Sequence, residues 1–206
     1  MRWLDVKRGC DDACVSEVVG VWRSGGLVVY PTDTVYGLGA DAENERAVLR
    51  VYEVKGRRRD KPLTIAVSDF DMLERYAVLN EVSRELIRHF LPGKVTFILP
   101  KTERVPDSVN PRAIGVRIPD LDLTRGLIRS FGRAVTATSA NRSGSPPKRD
   151  PREVAEEIEV DLLLDCGVLP PSRPSTVVDL TGERPVLVRE GDVPFERILR
   201  VYERVR

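Results

Sequence analysis

Short apolar runs that break off into polar turns, separated by amphipathic helical stripes, leave this chain few folds to choose from. Val15, Val18, Val19 and Trp22 recur at helical spacing and stop at Gly25-Gly26, and Leu27 to Tyr30 follows at once as a short buried strand. Ala47, Val48, Val51 and Tyr52 mark a second helix, which runs through the loop KGRRRDKP into the strand LTIAV. A third stripe, Val82, Leu86, Ile87 and Phe90, closes at Leu91-Pro92-Gly93 ahead of the strand Val95 to Leu99. Further strands are predicted at Ile114 to Ile118, Ala134 to Ser139, Asp161 to Asp165, Ser175 to Leu180 and Pro185 to Glu190, with helices over Asp122 to Phe131, Pro151 to Glu159 and Phe195 to Glu203. This alternation predicts an α/β fold: an open twisted sheet of mixed parallel and antiparallel strands, flanked by helices. At 206 residues and 41% apolar, the chain suits one domain over 1–206, with its motifs within about 12–191 and a closing helix at about 195–204.

Composition excludes several classes. No apolar run approaches the roughly 18 residues of a membrane span, and MRWLDVKRGCDDAC lacks a signal-peptide core, so a soluble, cytoplasmic protein is expected. Cys10, Cys14 and Cys166 make an odd count beside a single histidine, His89, which favours neither a disulfide framework nor a zinc site. Cys10 and Cys14 are expected as packing residues, and no metal-ligating set is assigned. With a lone histidine and no obvious Ser-His or Cys-His pair, nucleophilic hydrolysis loses most of its support, and His89 itself reads as a surface or capping residue near a helix end. The net charge of +1 offers no global reason to expect a nucleic-acid binder.

The polar segments gather at strand ends, where open α/β sheets place their ligands. Lys55, Arg57, Arg58, Arg59 and Lys61 against Asp60 give the basic loop a local charge of five minus one, +4. That density suits a triphosphate, and it equally suits a solvated loop. TSANRSG, Thr138 to Gly144, offers hydroxyls, an amide and a glycine that could cradle an anion, though the same residues form ordinary turns. No G-x-x-x-x-G-K-[ST] occurs, and Gly37-Leu38-Gly39 is too short for a dinucleotide fingerprint, so a nucleotide would have to be held in another way. Asp120 and Asp122 read as an acid-rich helix start.

Taken in order, YPTDTVYGLGADA, KGRRRDKPL, LPGKVTFILP, GVRIP, TSANRSG and STVVDL…VLVREG resemble the motif series of the YrdC/Sua5 family, from about Leu27 to Gly191. The resemblance implies an open twisted sheet with a basic concave face. It implies the synthesis of L-threonylcarbamoyladenylate from L-threonine, bicarbonate and ATP, with release of pyrophosphate, as the first step of the t6A modification of tRNA. Lys55 and Arg57 match the family's K-x-R pair and are expected on the ATP phosphates as the catalytic cations, with Arg59 and Lys61 nearby. Thr32, Tyr36, Arg117 and Ser175 fall on positions expected around threonine, with Lys61 assigned to that side as well. Ser139 and Asn141 match the S-x-N motif that holds the nucleotide, and Arg189 matches a late arginine that reaches ATP. Mg²⁺ is expected to escort the phosphates, and tRNA or the downstream t6A transfer machinery is an expected partner.

Two departures stand out: Asp120-Leu121-Asp122 replaces a His-Pro found in many relatives, and Pro92-Gly93-Lys94 replaces Pro-Gly-Pro. Neither removes an assigned residue. The resemblance is to the short form, so the second domain of the longer relatives is not expected. Two other readings remain open: a carbamoyl-transfer module of the hydrogenase-maturation type, and an RNA-binding protein that uses the basic concavity without catalysis.

Overall fold

The stripe from Val15 to Trp22 folds because Asp11 caps it, its carboxylate accepting from the Cys14 N–H at 2.9 Å. The computed structural model describes residues 1–206. In chain order the elements are β1 (Arg2–Asp5), α1 (Asp12–Arg23), β2 (Val28–Tyr30), β3 (Gly37–Gly39), α2 (Glu45–Lys55), β4 (Thr64–Ala66), α3 (Phe70–Glu74), α4 (Glu81–Phe90) and β5 (Val95–Pro100). There follow β6 (Ala113–Arg117), α5 (Asp122–Phe131), β7 (Val135–Thr136), β8 (Thr138–Ser139), α6 (Pro151–Glu157), β9 (Leu162–Asp165), β10 (Thr176–Asp179), β11 (Val186–Arg189) and α7 (Phe195–Val205).

The α/β class stands, with its strands divided between two mixed sheets, β1-β9-β2-β3-β8 and β11-β10-β5-β6-β4-β7. One cluster of 53 buried apolar residues lies under both sheets, so they share a core. The hinge between them is the strand expected from Ala134 to Ser139. Its first half pairs with β4, Ala66 opposite Val135, and its second half pairs with β3, Gly37 opposite Ser139. Between the halves, the Ala137 N–H donates to Thr64 O at 2.7 Å. A single apolar-polar run therefore serves two sheets by breaking at Ala137, and the gap between the sheets opens beside that break.

Gly37-Leu38-Gly39 is a strand rather than part of a ligand turn. A Cβ on Gly39 would meet the Tyr30 ring at 2.6 Å, and one on Gly37 would meet it at 3.0 Å, so both glycines let β3 lie flat against that ring. Trp22 closes the same corner, its Nε1 donating to Gly39 O at 3.2 Å. The strand β1, which periodicity did not predict, pairs in parallel with β9, about 160 residues away by register (Arg2 opposite Leu162). His89 sits exposed in the last turn of α4, as expected. Asp122 opens α5, and Arg125 pairs with both Asp120 and Asp122, which accounts for those acids as helix-start charges.

One expectation is corrected outright: Cys10 and Cys14 are joined in a disulfide across the Asp11 cap, while Cys166 is free. The spacing of four residues carries one cysteine from the loop into the first turn of α1, which brings the sulfurs together. Apolar packing alone had suggested two separate thiols.

Candidate functional site

The gap between the sheets holds a cavity of about 220 Å³. Its walls come from the turn after β2, the loop after α2, the strands β4, β5, β6, β8 and β10, and the end of β11. Arg57, Arg117 and Arg189 all line it, with hydroxyls from Thr34, Thr64, Thr96, Thr138, Ser139 and Ser175, and none of its 16 lining residues is acidic. The cavity therefore suits anions, and the arginine forks suit carboxylate and phosphate oxygens in particular.

Each arginine is held differently. Arg57 follows the left-handed Gly56 that ends α2, and its guanidinium donates to Lys61 O at 3.1 Å and Pro62 O at 2.8 Å. Arg189, at the end of β11, donates from Nε and Nη2 to Ser175 O at 3.2 and 2.9 Å, and from Nη2 to Ser175 Oγ at 3.3 Å. Arg117, the last residue of β6, is only 8% exposed. Its Nη2 donates to Asp33 Oδ1 at 2.5 Å and its Nη1 to Thr34 Oγ1 at 3.4 Å. Burial, and then the charge of Arg117, lower the pKa of Arg189, so the two guanidiniums feel one another across the site.

A smaller cavity of about 40 Å³ adjoins the first and shares Thr34, Arg117 and Ser139 with it. Thr32 lines this side pocket. Its hydroxyl donates to Val35 O at 2.7 Å and accepts from the N–H groups of Thr34 and Val35 at 3.1 and 3.2 Å. Pro-Thr-Asp-Thr can follow β2 directly because the first threonine ties the turn. The turn then presents Thr34 to the cavity and Asp33 to Arg117.

The structure thus brings Arg57, Arg117, Ser139, Ser175 and Arg189 together, with Thr32 alongside. It sets five other expected residues apart. Tyr36, just before β3, is buried and lines neither cavity, its hydroxyl donating to Gly167 O at 2.7 Å and accepting from the Cys166 N–H at 3.0 Å. Arg59 and Lys61 are exposed and outside the cavity lining. Lys55 was expected on a solvent-facing loop, yet it is the last residue of α2 and 2% exposed. Its ammonium donates to the carbonyl of Ser139 and, at 2.6 Å, to that of Asn141. Lys55 therefore stands behind the wall as the pin of the S-x-N loop. Burial, and next the charge of Arg57, lower its pKa from 10.5 to about 8, with Glu157 acting in the opposite direction. Asn141 is also behind the wall, its Nδ2 donating to Arg142 O and Ser145 O at 2.7 and 2.8 Å.

Sequence reasoning gave no role to Thr34, Thr64 or Thr96, and it reached Thr138 only as one hydroxyl of TSANRSG. The signal available was Thr96, a polar residue inside the apolar run VTFIL; its hydroxyl shares a hydrogen bond of 2.9 Å with that of Ser175. Gly191 fixes the Ser175 wall. A Cβ there would come within 1.9 Å of Pro174 O, and its N–H donates to Thr176 Oγ1 at 2.9 Å. Gly191→Ala is expected to cost about 2–3 kcal/mol of stability by forcing two backbones apart. Urea denaturation checks this, and an unchanged midpoint would mean that the two segments part freely.

Residues 20–191 match the family model of Sua5, YciO and YrdC proteins, described as "Telomere recombination". A protein of Methanocaldococcus jannaschii named putative threonylcarbamoyl-AMP synthase is 38% identical over 179 residues, covering 86% of this chain and 85% of its own length. The crystal structure of Pyrococcus abyssi Sua5 complexed with L-threonine superposes with a TM-score of 0.94 at 37% identity, over 100% of this chain and 62% of that one. The crystal structure of Escherichia coli YciO superposes with a TM-score of 0.86 at 30% identity, over 96% and 98%. The chain thus spans nearly the whole of YciO and about three-fifths of the Pyrococcus protein. With the family model matched over residues 20–191 and a relative 38% identical across 86% of the chain, the chain belongs to the Sua5/YciO/YrdC family.

Proposed function

We propose that this protein is a nucleotidyltransferase that makes L-threonylcarbamoyladenylate from L-threonine, bicarbonate and ATP in the cytoplasm, supplying the t6A modification of tRNA. The observation that carries this reading is the cavity itself: three guanidiniums and six hydroxyl side chains, with no acidic residue in the lining. The threonine carboxylate, bicarbonate and a triphosphate are all anions, and each calls for such a lining. No helix of the chain is long and apolar enough to cross a membrane.

The chemistry asks for placement more than for a side-chain nucleophile. The threonine amine attacks the bicarbonate carbon with net loss of water, leaving a carbamate. A carbamate oxygen then bonds to the α-phosphorus of ATP as the bond to pyrophosphate breaks. Arg57 and Arg189 would neutralise phosphate oxygens and Arg117 would hold the threonine carboxylate, so that the reacting groups meet in line. With no carboxylate in the lining, Mg²⁺ would arrive with ATP, bound by phosphate oxygens and water.

Pyrophosphate release should require all three substrates together, and omission of any one tests this directly. L-Valine, nearly isosteric with threonine, should turn over at a kcat/KM lower by roughly a hundredfold or more, because its methyl leaves buried hydroxyls unpaired. Equal use of valine would remove the threonine assignment and leave the ATP assignment standing.

A further inference from the structure

Of the three arginines in the cavity, only Arg117 has a carboxylate partner. Arg57 and Arg189 hold neutral carbonyl oxygens and, in the case of Arg189, the Ser175 hydroxyl, so each keeps its full charge. The Asp33 side chain is 7% exposed and the Arg117 side chain 9%, and Asp33 is absent from the cavity lining, so its carboxylate stands behind the guanidinium. The pair is also incomplete. Asp33 Oδ2 and Arg117 Nε are both buried with no hydrogen-bond partner, so one bond joins groups able to form a two-bond fork.

We propose that Asp33 is a specificity-determining residue: by neutralising Arg117 from behind, it reserves that guanidinium for a carboxylate-bearing zwitterion and confines phosphates to Arg57 and Arg189. This rests on the functional reading above, which places an amino acid and a polyphosphate in one cavity. The physical reason is the difference in charge between the two ligands. A polyphosphate brought to Arg117 meets the fixed negative charge of Asp33 a few ångströms behind it, in surroundings that screen poorly. A zwitterionic amino acid has no net charge, and its ammonium offsets Asp33 while its carboxylate uses the free N–H groups of Arg117. Without Asp33 the cavity would hold three bare guanidiniums, and phosphate would compete for all of them.

The test is calorimetric titration of L-threonine and of inorganic tripolyphosphate, singly and in competition. In the wild type, saturating tripolyphosphate should leave the threonine Kd within about twofold, because the two ligands use different arginines. In Asp33→Asn, tripolyphosphate should bind roughly tenfold tighter or more and should now displace threonine, whose own affinity falls. Asp33→Glu, which keeps the charge, should behave as the wild type. Displacement of threonine by tripolyphosphate in the wild type overturns the proposal. So does a folded Asp33→Asn variant with unchanged phosphate affinity and no competition. Should Asp33→Asn fail to fold, the wild-type competition and the Asp33→Glu variant decide. A wild type that binds no threonine would instead overturn the functional reading, and the phosphate arm of Asp33→Asn would still decide whether Asp33 keeps phosphate off Arg117.

Discussion

Arg117→Lys is expected to weaken L-threonine binding well over tenfold, because lysine keeps the charge and loses the planar fork that addresses Asp33, Thr34 and a substrate carboxylate together. Arg117 is the one arginine of the site that is almost fully buried, so its geometry is set by the protein rather than by solvent. A lysine ammonium carries its three donors on one nitrogen, so it can keep the Asp33 contact or reach into the cavity, and it lacks the separated nitrogens of a guanidinium that would do both at once. General electrostatic attraction for RNA depends on charge alone and should hardly change. Calorimetry with threonine in the presence of an ATP analogue, beside RNA binding at two salt concentrations, separates the enzyme from an RNA-binding protein. Unaltered threonine affinity in the lysine variant would mean that Arg117 has the wrong role here.

The second large effect is expected at Lys55, for a different reason from the one its motif suggests. Lys55→Met removes the pin that joins α2 to the carbonyls of Ser139 and Asn141. Freed, the S-x-N loop no longer holds Ser139 at the cavity wall, and a misplacement on the order of 1 Å is enough to lower turnover roughly a hundredfold. The variant also leaves the Asn141 carbonyl without the Lys55 donor, a loss of about 1–3 kcal/mol, while Ser139 O keeps its bond from the Asn141 N–H; the loss is offset by relief from burying an ammonium. A test of pH distinguishes this buried lysine from an exposed phosphate contact. Its pKa is about 8 in the folded protein against an ordinary 10.5. Between those values the unfolded chain holds the extra proton, so this group makes stability rise with pH across that window, and its full penalty is present below about pH 8. Chemical denaturation at about pH 7.5 and pH 9.5 should show a steeper rise in the wild type than in Lys55→Met. Identical pH dependence in the two proteins would mean that Lys55 is solvated.

Elements with their own periodic signal were legible in the sequence. The helix expected over Asp122 to Phe131 is α5, and the strands around VTFIL, GVRI, LLLD and TVVD are β5, β6, β9 and β10. A stripe repeating every three to four residues needs only local chain to declare itself. β1 and β3 gave no such signal. β1 exposes most of its residues and exists because β9 offers it an edge, while β3 is built from two glycines that show no pattern until Tyr30 lies against them.

The sequence by itself determined the family, the α/β class and the supply of cations and hydroxyls, because these depend on which residues occur and in what order. Only the tertiary structure decided which of those residues meet. Lys55 and Arg57 are two positions apart in one motif, yet one is buried under the loop it pins and the other faces the cavity, since α2 ends between them at Gly56. Arg117 and Asp33 are separated by 84 residues, and nothing local to either predicts that they form the one ion pair at the site. Burial and charge pairing are set by whatever the fold packs alongside: for Arg117 a turn of the opposite sheet, and for Lys55 the loop after β8.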